Sequence, residues 1–172
     1  MPAAKKGRTT EKDAITLLKD DHQQVRALLG ELDETTEKAV GKREKLLATI
    51  EQELTIHTRI EEEIFYPAFR EAARKKDDGK LYFEALEEHH VVDMVLPEIK
   101  GTRVESEQFA AKAKVLKDLV EHHAQEEETE MFPRARKLMT RDELLRLGAE
   151  MARLKASIAR GLVGRLAGLV GA

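Results

Sequence analysis

Apolar residues recur along this chain at the three- and four-residue spacing of amphipathic helices, and no stretch alternates as a half-buried strand would. The stripe Leu18, Val25, Leu28, Leu29 and Leu32 predicts a first helix from about Thr10 to Thr35. A second follows Gly41, with Leu46, Leu47, Ile50, Leu54, Ile60 and Ile64 on its inner face. Asp77-Asp78-Gly79 predicts the turn into a third helix, about Lys80 to Ile99, which Pro97 should kink or end. Gly101 then breaks the chain, and a fourth helix is expected from about Glu105 to Leu138. Thr140 and Glu143 have capping-box spacing and open a fifth helix, whose Leu144, Leu147, Met151, Leu154 and Ile158 form a coiled-coil-like seam. Four main helices with short connections predict an all-α, antiparallel up-down-up-down four-helix bundle. The fifth would pack on its outside or against a second copy of the chain.

The expected organisation is a disordered basic arm (1–10), a bundle (11–139), and a C-terminal helix and tail (140–172). Charge follows it: both ends are basic, +3 each, and leave the body at −9 within a net charge of −3. A nucleic-acid binder usually carries its positive charge on the folded body, so that partner is not expected. With no Cys, disulfide frameworks, zinc ribbons, iron–sulfur clusters and thiol catalysis are excluded. No apolar run reaches the roughly 18–20 residues of a membrane span, and no apolar leader follows Met1, so a cytoplasmic location is expected.

Shifted by 66 or 67 residues, the sequence resembles itself. His22 aligns with His89, Val25 with Val92, Leu29 with Leu96, and Leu32 with Ile99. His57 aligns with His123, Glu61 with Glu127, Leu54 with Val120, and Tyr66-Pro67 with Phe132-Pro133. Repeated apolar positions alone would mean only two similar amphipathic hairpins. Repeated histidines and carboxylates at core-facing phases are harder to attribute to packing, because a buried carboxylate is costly unless paired or metal-bound.

All six histidines (His22, His57, His89, His90, His122 and His123) fall on the four main helices. His22 lies roughly 25 Å before the first loop and His57 roughly 27 Å after it, so an antiparallel hairpin brings them level. His57/Glu61 and His123/Glu127 are separated by four residues, which puts each pair on one helix face, about 6 Å apart along it. Two such helices, with a His from each of the others, offer four nitrogens and two carboxylates able to bridge metals. Such a set suits a dinuclear site, of Fe or Mn, with Zn tolerated. The repeat register favours His89 over His90 and His123 over His122. His90 and His122 are read as flanking groups, with Glu126 a reserve carboxylate.

Across about residues 12–138 these motifs resemble the hemerythrin-like, or HHE cation-binding, family, in its bacterial and actinobacterial form. The order His22, His57-x-x-x-Glu61, His89, His123-x-x-x-Glu127, with an aromatic-Pro pair closing each Glu-rich segment, carries the resemblance. It implies a four-helix bundle holding two non-haem Fe ions joined by an oxo or hydroxo bridge, with Mn or Zn as lesser alternatives. His22, His57, His89 and His123 would then be ligands, and Glu61 and Glu127 would bridge. Oxygen-carrying hemerythrins have His-x-x-x-His on the third helix and His-x-x-x-x-Asp on the fourth. Here Asp93 stands four residues after His89 and Glu127 four after His123. One imidazole is missing, so water, Asp93 or another oxygen donor is expected in its place.

That departure implies reaction with hydrogen peroxide, nitric oxide or O2 rather than reversible oxygen carriage. An enzyme-like activity of the catalase or nitric-oxide-handling kind is the first reading, with Phe65 and Met131 expected to line an apolar pocket. The alternative is a non-catalytic sensor or carrier of O2, NO or redox state that signals through the fifth helix. A homodimer through that helix is a further expectation.

Overall fold

A computed structural model describes residues 11–73 and 76–170, without the side chains of 76–78 and 163–170. The expected basic arm lies outside the described residues. Helix α1 (Ala14–Asp33) starts four residues later than the apolar stripe suggests, because Asp13 caps it by accepting the Thr16 N–H at 2.8 Å. Helix α2 (Val40–Ile60) passes through a wide π turn, Glu61–Phe65, into α3 (Tyr66–Ala72). Helix α4 (Lys76–Lys100) follows, then α5 (Glu107–Glu126), capped by Ser106. A second π turn, Glu127–Met131, leads into α6 (Phe132–Leu138), and α7 spans Arg141–Val170. No helix among the described residues is long and apolar enough to cross a membrane.

The expected Asp77-Asp78-Gly79 turn does not form, since these residues belong to the start of α4. Gly79 lies beside the Arg70 side chain. A Cβ there would stand 2.5 Å from the Arg70 guanidinium, which lies across the Tyr82 and Phe83 rings. Pro97 is carried inside α4, and the helix ends within one turn, where Gly101 N–H bonds the Pro97 carbonyl at 3.0 Å. The π turns were not expected. In both, the residue before proline donates its N–H five residues back, Tyr66 to Glu61 and Phe132 to Glu127. Pro67 and Pro133 lack a donor and clash with an α-helical carbonyl, and a wider turn just before them relieves this.

Helices α1, α2, α4 and α5 form the bundle, with α1 packed on α2 and α5, and α4 packed on α5. The core divides into two apolar clusters. Ile15, Leu18, Ile60, Phe65, Tyr66, Phe69 and Phe132 fill one end, and Val25, Leu29, Ile50, Leu54, Leu96, Phe109 and Leu116 the other. A layer of buried polar residues lies between them. At the loop end the buried Arg43 ties two connections together, donating to Thr35 and to the Val104 carbonyl and lying over the Phe109 ring.

Helix α7 begins at the expected capping box, with Thr140 N–H donating to Glu143 at 2.7 Å. Four of its five seam residues pack on its own bundle: Leu144 and Met151 are buried in the first cluster, and Leu147 and Leu154 pack against it. Gly148 permits the approach. A Cβ there would collide with the Lys12 carbonyl and come within 2.8 Å of the Ala14 amide nitrogen.

Candidate metal centre

The polar layer is built by the two hairpins in near-symmetry. His22 and His89 come from α1 and α4, His57 and His123 from α2 and α5, and Glu61 and Glu127 each open a π turn. All six are buried, Glu61 completely. His90 and His122 face solvent. Two donor groups result, one of His22, His57, Glu61 and Glu127, the other of Glu61, His89 and His123, and they share Glu61. Glu61 Oε1 is 3.2 Å from His57 Nε2, and its Oε2 is 3.2 Å from His89 Nε2. Glu127 Oε2 is 3.2 Å from His22 Nε2 and 3.6 Å from His123 Nε2.

Every one of these imidazoles has its outer nitrogen against a carboxylate. Nδ1 of His22 meets Glu128 at 2.8 Å, that of His89 meets Glu62 at 2.8 Å, and that of His123 meets Glu88 at 2.7 Å. His57 Nδ1 stands 3.7 Å from Asp21 Oδ2, an ion-pair rather than a hydrogen-bond distance. An ionised carboxylate only accepts, so where Nδ1 donates to one the Nε2 edge of the ring is turned inward, as metal-ligating histidines require. Sequence reasoning missed this outer ring, although the signal was present. Asp21 and Glu88 precede His22 and His89 by one residue, and Glu62 and Glu128 follow Glu61 and Glu127 by one, so the repeat extends to these acids.

It also missed Tyr66. Five α-helical steps would leave position 66 about 140° round from Glu61, but the π turn closes after five residues and returns it to the Glu61 face. The Tyr66 hydroxyl donates to Glu127 Oε1 at 2.9 Å, and lies 3.3 Å from His89 Nε2 and 3.5 Å from Glu61 Oε2. Its ring stacks on His89 at 5.5 Å, as Phe132 stacks on His22 at 5.7 Å. Of the oxygen donors expected in place of the missing imidazole (water, Asp93 or another), Asp93 is exposed, and the Tyr66 hydroxyl is an oxygen that stands beside His89. The two halves of the centre differ mainly in this hydroxyl.

Charge is unevenly held. Burial pushes the Glu61 carboxyl well up, with Glu127's charge adding to it. Burial acts on Glu127 too, but His123, His22 and His57 outweigh it and hold that carboxyl ionised. Burial lowers His57 to about 4, whereas carboxylate contacts outweigh burial at His22 and His123 and raise them. Tyr66 is pushed well up, by burial and then by Glu127, and stays neutral.

Three inward-facing buried atoms, His22 Nε2, Glu61 Oε1 and Glu127 Oε2, have no hydrogen-bond partner. Such atoms are rare in native interiors and call for an explanation such as an ion. A void of about 20 Å³, room for one or two water-sized molecules, adjoins the four imidazoles. Val25, Leu54, Val92 and Val120, themselves equivalent in the repeat, close it on the apolar side. Phe65 and Met131 do not line it, because the π turns direct them into the opposite cluster.

A family model of the hemerythrin HHE cation binding domain matches residues 13–135. The chain belongs to the hemerythrin HHE family. A solved family member from Mycobacterium kansasii, a hemerythrin HHE cation binding domain-containing protein, is 28% identical. It superposes with a TM-score of 0.78 over 90% of this chain and 92% of its own. A protein of Nostoc sp. called a DNA nickase is 26% identical over 152 residues, which is 88% of this chain. The chain spans only 42% of that relative's length. As a hemerythrin HHE domain the chain is a metal-binding helical bundle, and its buried His/Glu cluster fits a cation: inward-facing imidazole nitrogens, an ionised carboxylate, and orphaned atoms converging on shared space.

Proposed function

We propose that His22, His57, His89, His123, Glu61 and Glu127 hold two iron ions, and that the centre processes hydrogen peroxide, with nitric oxide or O2 as related ligands. What carries this reading is the pair of donor groups meeting at one carboxylate, Glu61, which offers one oxygen to each. Imidazole, carboxylate and phenol oxygen without thiolate favour iron over softer-ligand metals. Bound iron would supply the one- and two-electron exchange that peroxide decomposition to water and O2 needs. The chain supplies the rest. The outer carboxylates orient four imidazoles, the apolar wall of Val25, Leu54, Val92 and Val120 excludes bulk water and large molecules, and Tyr66 holds a proton against Glu127.

The test is metal content and the optical spectrum of iron-loaded protein, before and after peroxide, with O2 evolution as the measure of turnover. Two irons per chain with sustained O2 release support the proposal. Protein that folds but holds no iron overturns it. A second reading, a sensor acting through α7, is favoured by one contact: Lys155 of α7 pairs with Asp21, the carboxylate facing His57. Spectral change without turnover, lost on substituting Lys155→Met, would select that reading.

A further inference from the structure

The near-symmetry of the two hairpins fails at a second place, outside the ligand layer. Asp21 and Glu88 are equivalent, each reaching with one oxygen toward the Nδ1 of a histidine on the next helix, His57 or His123. The second oxygen of each points outward. On Asp21 it is met by the Lys155 ammonium, brought by α7. On Glu88 no lysine or arginine among the described residues takes that place, and Oε1 instead stands 3.7 Å from His122 Nε2. The same nitrogen is 3.4 Å from Glu126 Oε1, one turn along α5.

The first hairpin has Ile56 and Ile60 where the second has His122 and Glu126, and both isoleucines are buried. One hairpin thus closes this position with apolar side chains and a fixed cation. The other leaves it open, with an imidazole and two carboxylates whose donor atoms lie within 4.8 Å of one another. These groups line a surface pocket of about 380 Å³ to which Glu84 and Glu87 add further negative charge. Two donors about 2.1 Å from a common ion, at tetrahedral angles, would lie about 3.4 Å apart, close to the separations present.

We propose that Glu88, His122 and Glu126 form a third, outer site for a divalent first-row metal ion. Glu88 would join it to the inner centre, holding the outer ion with Oε1 and His123 with Oε2. An ion arriving from solvent would be held one carboxylate away from an inner histidine. The outer site stands whether or not the inner centre holds iron, because its donors are distinct from the six proposed there.

The experiment is a titration of iron-loaded protein with Mn2+, counting free Mn2+ by electron paramagnetic resonance. Wild-type protein should bind one Mn2+ per chain beyond its inner metals. Substituting His122→Ala, or Glu126→Gln, should weaken that binding at least tenfold while inner iron content and the optical spectrum stay as in the wild type. No additional Mn2+ bound, or equal binding by the double variant, overturns the outer site and leaves the iron centre standing. Protein lacking iron whose Mn2+ binding still drops on His122→Ala would overturn the proposed function and uphold the outer site.

Discussion

Removing the metal from this bundle should cost it much of its stability, and the structure sets the scale. His22 Nε2, Glu61 Oε1 and Glu127 Oε2 are buried without partners. Each such atom costs about 1–3 kcal/mol, so the three together cost about 3–9 kcal/mol against a typical total stability of about 5–15 kcal/mol. Burial pushes the Glu61 carboxyl toward its neutral form, which is cheaper to leave unpaired and favours the lower end. For a chain of this size about 1 kcal/mol corresponds to roughly 2–4 °C in Tm. Chelator-treated protein should therefore melt at least about 6 °C below the iron-loaded protein, and the gap should widen with added metal as mass action requires. Scanning calorimetry of both forms, with metal content measured on the same samples, checks it. A difference below about 2 °C in protein shown to hold two metals would refute the view that those atoms converge on an ion.

Tyr66→Phe removes the hydrogen bond to Glu127 without changing packing, since Phe132 already occupies the equivalent place. Metal-free protein should lose about 1.5–3 kcal/mol, and an unchanged denaturant midpoint would discount that bond. Gly148→Ala drives a Cβ into the backbone of residues 12–14 and should cost about 1–3 kcal/mol, read as a lower Tm with faster proteolysis within α7. His57 has a folded pKa of about 4, below its unfolded 6.5, so its share of stability is present above pH 6.5 and lost as pH falls to 4. Relative to metal-free His57→Gln, metal-free wild type should lose ~3 kcal/mol between pH 7 and pH 4. Parallel stability curves across that window would show that His57 is not buried neutral.

The helices and their inner faces were readable because burial at a 3.6-residue period is a local property of the chain. So was the common level of the histidines, which follows from helix rise and hairpin length. Local signals failed at Asp77-Asp78-Gly79, where turn-forming residue types are carried in the first turn of α4. They failed again at Phe65 and Met131, whose expected place at the pocket assumed an unbroken α-helix. Tyr66 was visible as half of an aromatic-Pro repeat, but its role depends on a π turn that no periodicity reports.

The sequence by itself determined the family, the helical bundle and the set of residue types that can bind a cation, because ligand identity and helical phase are written residue by residue. Only the tertiary structure decided what surrounds them. Which carboxylate holds which Nδ1, which half of the centre receives a hydroxyl, and why Asp21 meets a lysine while Glu88 meets a histidine all depend on side chains from different helices sharing space. Those pairings are set by the approach of α7 and the widening of two turns, events that cost or release free energy only once the chain has folded around them.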